Sequence, residues 1–466
     1  MPCVGRFPST SRSPSRDADV IPAIEQAYDY GRSSARRSGG GLGLATSGGT
    51  VSAPTLFVGR ILQPDLVADG LLVVGSVARS RYHVPAAMLA RILLAADPIV
   101  TVGDGRVRFE SLSACSGVYA RLDLLPDAVD GTVVGRGTTN VDLGPDLRAA
   151  LAGVDARAAV DLEIGSEWVE VRVADEGVRE RRVPLPARWV RSLTEVAAIQ
   201  PQLERRAVLA RTEATRLLRG AMRLPVNRPA WLVTRGETAR LAHHPVAGSV
   251  AIGGPGRLRA LERMLRHVRR LNVHAGADGS TAWELDLGGA RLTLALSPEA
   301  WRGFSGEGRQ LEALAAPSSG LVRRVRAALA WQPTVDADAL ATELRVAADE
   351  VRRALAVLAT AGVVGYDLAD AAYFHRELPF AIDGLERRHP RLAAARQLVA
   401  DGRVRAEEAG EDRLVAWVGG TGVEHRVALD TAGWSCTCPW YARHRTERGP
   451  CKHILAVQVA QAADDT

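Results

Sequence analysis

Cys436-Thr437-Cys438-Pro439-Trp440, followed after further loop residues by Gly449-Pro450-Cys451-Lys452-His453-Ile454-Leu455, is the stretch on which the reading of this chain turns. Two close pairs of ligand-type side chains, Cys436 with Cys438 and Cys451 with His453, face each other across a loop of twelve residues. Three thiolates and an imidazole are what a closed tetrahedral zinc site uses. Before the loop, Gly433 to Cys438 is predicted as a strand, in which residues two apart share a face and both thiols are presented together. After it, Gly449-Pro450 makes a turn, and Ile454, Leu455, Val457 and Val459 mark a helix with Cys451 and His453 in its first turn.

The alternative is three buried thiols and a core histidine, because a free cysteine packs as a small hydrophobe. Against it, the chain has 5 cysteines, and Cys436, Cys438 and Cys451 fall together beside the one histidine spaced to complete the set. Energetics favour the metal. A core of about sixty residues supplies roughly 3–5 kcal/mol on its own, whereas structural zinc in small fingers contributes about 10–16 kcal/mol.

This C-x-C…C-x-H arrangement resembles the SWIM zinc finger, and the chain reads as a bacterial SWIM-type zinc finger domain-containing protein. The resemblance implies one structural Zn2+ held by Cys436, Cys438, Cys451 and His453, with lead-in strands between Arg403 and Asp430. It also implies binding to DNA or to protein, and no chemistry. Bacterial proteins of this architecture resemble companions of AAA-type ATPases and von Willebrand A-type proteins, so an adaptor that docks a protein partner is the second reading.

The loop itself is basic. Arg443, Arg445, Arg448 and Lys452 stand against Glu447, with Trp440 and Tyr441 interleaved. Cations and planar rings serve backbone and stacking contacts to nucleic acid. The plain alternative is a solvated loop whose Trp440 packs on the metal site.

Working outward, 466 residues are long enough for about three domains. The net charge of +6 invites a nucleic-acid reading. Lys452 is the single lysine, however, so the arginine excess is more economically a coding bias, and clusters carry more information than the total. No apolar run of membrane-spanning length is present, and five cysteines with three in one motif do not make a disulfide scaffold. A cytoplasmic protein without membrane contact or small-molecule substrate is expected. No phosphate-binding glycine loop, dinucleotide fingerprint or paired carboxylates appear, so no enzyme is expected.

The expected fold class is α+β multidomain. Residues 1–52 are rich in Ser, Arg and Gly and read as a disordered arm. Residues 54–201 read as an α+β domain with antiparallel strands, including a short strand at Leu71-Leu72-Val73-Val74, a helix over Ala86–Ala96 and a strand over Arg179–Val183. Cys115 lacks an evident base and reads as a structural thiol. Residues 202–316 read as a long helix from Gln202 to Met222 plus a second α+β segment with a helix from Arg257 to Leu271, and His243, His244, His267 and His274 read as surface residues. Residues 317–380 offer three helices and a hairpin, which resembles a winged helix; Asp349 and Glu350 at the start of its third helix would repel phosphates. A linker helix (381–402) precedes the SWIM finger (403–466).

Overall fold

The computed structural model describes residues 55–82, 98–140, 143–166, 169–173, 187–304, 311, 319–378, 390–409, 413–420, 422–431, 433–445 and 449–464. The arm over 1–52, the helix expected over 86–96, the strand expected over 179–183 and Arg448 lie outside these residues.

The described chain starts with β1 (Thr55–Ile61) and α1 (Pro64–Arg79). Pro64 suits the first helical position, where its missing N–H is not needed. Leu71-Leu72-Val73-Val74 lies in the middle of α1 and is not a strand. Four apolar residues carry no period of their own, and the tertiary context extends them as a helix. The helix lies directly on a sheet, since a Cβ at Gly70 would come within 2.8 Å of the Leu122 side chain.

That sheet has eight strands and is antiparallel throughout. It draws on β2 (Ile99–Gly103), β3 (Arg106–Leu112), β4 (Val118–Leu124) and β6 (Gly137–Asn140) from the first half. From the second half come β9 (Glu204–Ala210), β13 (Arg270–Ala275), β14 (Thr281–Asp286) and β15 (Ala290–Leu296). The order is β6-β2-β3-β4-β15-β14-β13-β9, so the segments expected as separate units, 54–201 and 202–316, share one sheet. The join is β4 on β15, in register from Ala290↔Leu124 to Leu296↔Val118. A smaller sheet pairs β1 with β5 (Val129–Val133) and β7 (Val160–Gly165), and β7 with β8 (Val169–Val173). Between them in sequence sits α2 (Pro145–Ala152).

Two helical expectations are corrected here. The long helix from Gln202 to Met222 is β9 followed by α4 (Arg211–Met222), with α3 (Ala187–Ile199) preceding both. Ala207 and Leu209 alternate inward on the sheet edge, a period-2 pattern too short to stand out beside the helical spacing of Ala214, Leu217, Leu218 and Ala221. The helix expected from Arg257 to Leu271 is a 3-10 helix, Pro255–Arg266, and its last expected residues belong to β13, which pairs with both β9 and β14. A three-stranded sheet, β11 (Thr238–Ala242), β10 (Ala230–Arg235) and β12 (Val250–Ile252), lies between α4 and this 3-10 helix in sequence.

The central strands are buried on both faces for different reasons. Phe109, Leu122, Leu124, Leu292 and Leu294 point toward α1 and belong to the main apolar core. Their neighbours Arg108, Glu110, Arg121 and Asp123 point the other way and are nonetheless buried. What covers them is a hairpin, β16 (Val364–Asp367) and β17 (Ala372–His375). It follows three helices, α5 (Ser319–Ala328), α6 (Ala337–Leu344) and α7 (Ala348–Thr360). Asp336 caps α6, accepting from the Asp338 and Ala339 N–H groups at 2.9 Å.

Asp367 and Asp370 close the network. Arg108 and Arg121 each pair with Asp123 at 2.9 Å, and Arg121 also reaches Asp367 at 3.1 Å. Arg106 meets Asp367 at 3.2 Å and Arg291 meets Asp370 at 3.0 Å. The Arg108 guanidinium lies 4.0 Å above the Phe374 ring. Among the described residues no helix is long and apolar enough to cross a membrane.

Candidate metal centre

The C-terminal unit rests on a four-stranded antiparallel sheet in sequential order, β18 (Val404–Ala409), β19 (Leu414–Gly419), β20 (Glu424–Asp430) and β21 (Gly433–Cys436). Its two longer helices are α8 (Pro390–Ala400) before the sheet and Lys452–Asp464 after it. Leu392, Ala395 and Leu398 of α8 share one core with Ala416, Val418 and Val427 of the sheet and with Ile454 and Leu455. The helix expected as a linker thus packs into the finger.

The first ligand pair departs from the expected strand. β21 ends at Cys436, which stands opposite Val427, and Cys438 is the N-cap of a short helix, α9 (Pro439–His444). Pro439 at the first helical position is the sequence signal for that helix. Thr437 turns outward and latches the bend, because its N–H donates to Arg426 O at 3.1 Å and its hydroxyl accepts from the Arg426 N–H at 3.0 Å. The second pair is as expected for His453, while Cys451 stands one residue before the helix rather than in its first turn. Cys451 caps and His453 enters the first turn of α10 (Lys452–Asp464), with the Leu455 N–H donating to Cys451 O at 3.0 Å.

These elements gather Cys436, Cys438, Cys451 and His453 so that one ligand atom of each lies within 4.8 Å of the others, and all four are buried. Cys436 Sγ and His453 Nδ1 are 3.9 Å apart. Zinc at about 2.3 Å from sulfur and about 2.0 Å from nitrogen, with tetrahedral angles, separates its ligands by roughly 3.5–3.8 Å. The spacing therefore fits one ion with little movement.

Electrostatics make the same point. Three crowded thiols cannot all ionise unaided. Hydrogen bonds from Cys436 and Cys451 hold the Cys438 thiol well below the ordinary thiol range. Cys436 shifts well above it through its hydrogen bond to Cys438. Cys451, lowered by its contact with Cys436 but raised more by Cys438 and burial, is pushed up to about 11. A divalent cation removes this conflict, since coordination deprotonates thiols outright. The backbone is arranged for thiolates. The Tyr441 N–H donates to Cys438 Sγ at 3.4 Å and the Ile454 N–H to Cys451 Sγ at 3.5 Å.

The loop residues divide. Arg443 and Arg445 are exposed, and Lys452 is half-buried at the start of α10. Trp440 is half-buried against the finger core, with the Arg391 guanidinium 4.5 Å above its ring and the His444 ring centroid 4.5 Å away. Arg391 also donates to Pro450 O at 2.9 Å, which ties α8 to the turn before Cys451. Tyr441 donates its hydroxyl to Trp434 O at 2.9 Å, and Arg445 stands 5.7 Å above its ring. His425, which sequence reasoning did not single out, packs on the ligand His453 with ring centroids 4.4 Å apart.

Elsewhere, Cys115 is half-buried, 3.4 Å from Ser113 Oγ and accepting from the Tyr82 N–H at 3.5 Å. His243 and His244 are exposed as expected. His267 and His274 are not surface residues. His267 bonds Asp69 Oδ2 at 3.0 Å, and His274 is buried in β13, where burial pushes its imidazole down to about 4.

The SWIM zinc finger family matches residues 425–457. No curated protein matches the chain. Among solved structures, the crystal structure of Proliferating Cellular Nuclear Antigen from Entamoeba histolytica is similar over 53% of this chain and 99% of that one, at 11% identity and a TM-score of 0.33. That likeness is too slight to support an argument. The sequence match and the geometry meet at the same four residues: the chain carries a SWIM zinc finger in which Cys436, Cys438, Cys451 and His453 fit one structural zinc ion.

Proposed function

We propose that the zinc finger associates with nucleic acid through the exposed cations that follow Cys438, and that the protein is not an enzyme. The observation that carries this reading is the placement of Arg443 and Arg445. Both are exposed, Arg443 on the short helix whose N-cap is the zinc ligand Cys438 and Arg445 at the C-cap of that helix. Four protein ligands leave no open position for a reacting water, which supports a structural role for the metal.

The rings add less than the bare sequence suggests. Trp440 is engaged by Arg391 and His444, and the Tyr441 hydroxyl is engaged by Trp434. Contact then falls to phosphates, which position without reading sequence. The segment 319–375 is winged-helix-like in element order, and its hairpin is turned into the sheet by Asp367, which supports a packing role over groove reading. Thiol ligands held by zinc suit a reducing compartment, so the location is cytoplasmic.

The test is fluorescence anisotropy of the zinc-loaded protein with labelled duplex and single-stranded DNA across a salt series. Changing Arg443, Arg445 and Arg448 to Ala is expected to weaken binding and flatten the salt slope by about one unit per lost phosphate contact. Unchanged binding in that variant retires the finger as the contact. A protein-docking role, with AAA-type ATPases or von Willebrand A-type proteins as the partners to try, then takes its place.

A further inference from the structure

A second cationic surface lies far from the finger in sequence. Residues 204–270 hold 15 arginines against 4 glutamates, leaving 44 basic and 49 acidic residues in the rest of the chain, of 59 and 53 in all. A segment near +11 thus sits in a chain whose remainder is near −5. A coding bias explains why these cations are arginines. It does not explain why they are concentrated here.

The fold turns this excess into a ridge. α4 and the 3-10 helix Pro255–Arg266 run side by side in opposite directions, as two side-chain bonds show. Arg211 near the start of α4 donates to Arg266 O at 3.2 Å, and Arg259 donates to Met222 O, at the end of α4, at 2.8 Å. Leu217, Leu218, Leu258, Leu261 and Met264 face the core. The outward faces carry Arg211, Arg216, Arg219 and Arg223 on and just beyond one helix and Arg259, Arg263, Arg266 and Arg269 on and just beyond the other, all exposed.

Three carboxylates temper them. Glu213 pairs with Arg216 at 2.5 Å, and Glu262 is exposed. Asp69, beneath the ridge, takes Arg266 at 2.8 Å and Arg263 at 3.7 Å. Arg219, Arg223 and Arg269 form no ion pair among the described residues. Holding unpaired like charges side by side is unfavourable for folding by itself.

We propose that this two-helix ridge binds the phosphate backbone of duplex nucleic acid, independently of the finger. At 1.5 Å per residue the line Thr212, Arg216, Arg219, Arg223 extends about 16 Å, or about five phosphate steps of one strand. Guanidinium groups suit phosphate oxygens. A protein partner would need an apolar centre, and a membrane surface would need inserted apolar or aromatic side chains. The large exposed hydrophobics among the described residues, such as Val58, Leu62, Trp301 and Val423, all lie off these two helices.

The test uses the full zinc-loaded chain, a labelled duplex DNA and a labelled polyglutamate of matched charge, over a salt series. The ridge variant is Arg219→Gln with Arg223→Gln and Arg269→Gln, three residues without ion pairs to disturb. Its zinc content and thermal transition are checked against the parent. We expect its Kd for DNA to rise at least about tenfold and its salt slope to flatten by about 2–3 units. The finger variant, Arg443→Ala with Arg445→Ala, is run beside it. A loss in the ridge variant alone retires the finger contact and leaves the ridge standing. A ridge variant that binds DNA as the parent does overturns the proposal. Equal affinity of the parent for polyglutamate and DNA overturns the assignment to nucleic acid, and no binding to DNA overturns both surfaces.

Discussion

Cys451→Ser is expected to strip the chain of its zinc and to unfold residues 390–464 while leaving residues 55–378 folded. The C-terminal core is small and is built around the ligands. Cys436, Cys438 and Cys451 are themselves part of the cluster in which Leu392 of α8, Val427 of the sheet and Ile454 of α10 meet. Structural zinc contributes about 10–16 kcal/mol to small fingers, more than the roughly 3–5 kcal/mol such a core gives. Losing the ion therefore removes the larger part of what orders α8, the four strands and α10 together. Metal analysis and limited proteolysis check it. Zinc near zero with new cleavage confined to residues 390–464 agrees with the assignment. A serine variant that keeps a full equivalent of zinc and the parent's cleavage pattern contradicts it.

The second large effect is expected at Asp367. Asp367→Asn leaves Arg108 and Arg121 in the interior, each only 1% exposed, with one carboxylate, Asp123, between them. Breaking a buried charge network by removing one partner costs about 3–5 kcal/mol, because the remaining charges stay desolvated. The released element is the hairpin Val364–His375, whose hydrogen exchange should accelerate along with the loss of stability. Destabilisation below about 1 kcal/mol would show that the network does not tie the hairpin to the sheet.

The same carboxyl sets an acid limit. Burial opposes its ionisation, yet Arg121, Arg291, Arg108 and Arg106 together hold Asp367 well below the usual carboxylate value. A folded-state pKa below the unfolded one means the folded protein binds fewer protons, so this contribution is fully present above the unfolded value near 4. It is lost progressively as pH falls below about 4, and the asparagine variant should lack that part of the pH dependence.

The metal centre was legible because its chemistry is local. Four ligand residues within eighteen positions, 436–453, name the metal before any fold is known. Antiparallel strands in residues 54–201 are legible for a similar reason, since a period of two, as in Val160 to Ile164, needs only one strand to be seen. What could not be read is what tertiary contact decides. Arg108, Glu110, Arg121 and Asp123 alternate with apolar residues and look like an exposed face; the hairpin that buries them lies about 250 positions away. Leu71 to Val74 fits strand or helix equally, and the packing of α1 against Leu122 settles it. The cationic ridge was hidden differently. Its charge excess is plain in residues 204–270, but only the antiparallel pairing of α4 with the 3-10 helix places those arginines on one surface.

X-ray absorption at the zinc edge, with metal quantified per chain, tests the central claim most directly. The account predicts one zinc per chain, with three sulfur neighbours at about 2.3 Å and one nitrogen at about 2.0–2.1 Å. A purified, folded chain without zinc, or an ion surrounded mainly by oxygen and nitrogen, would contradict it.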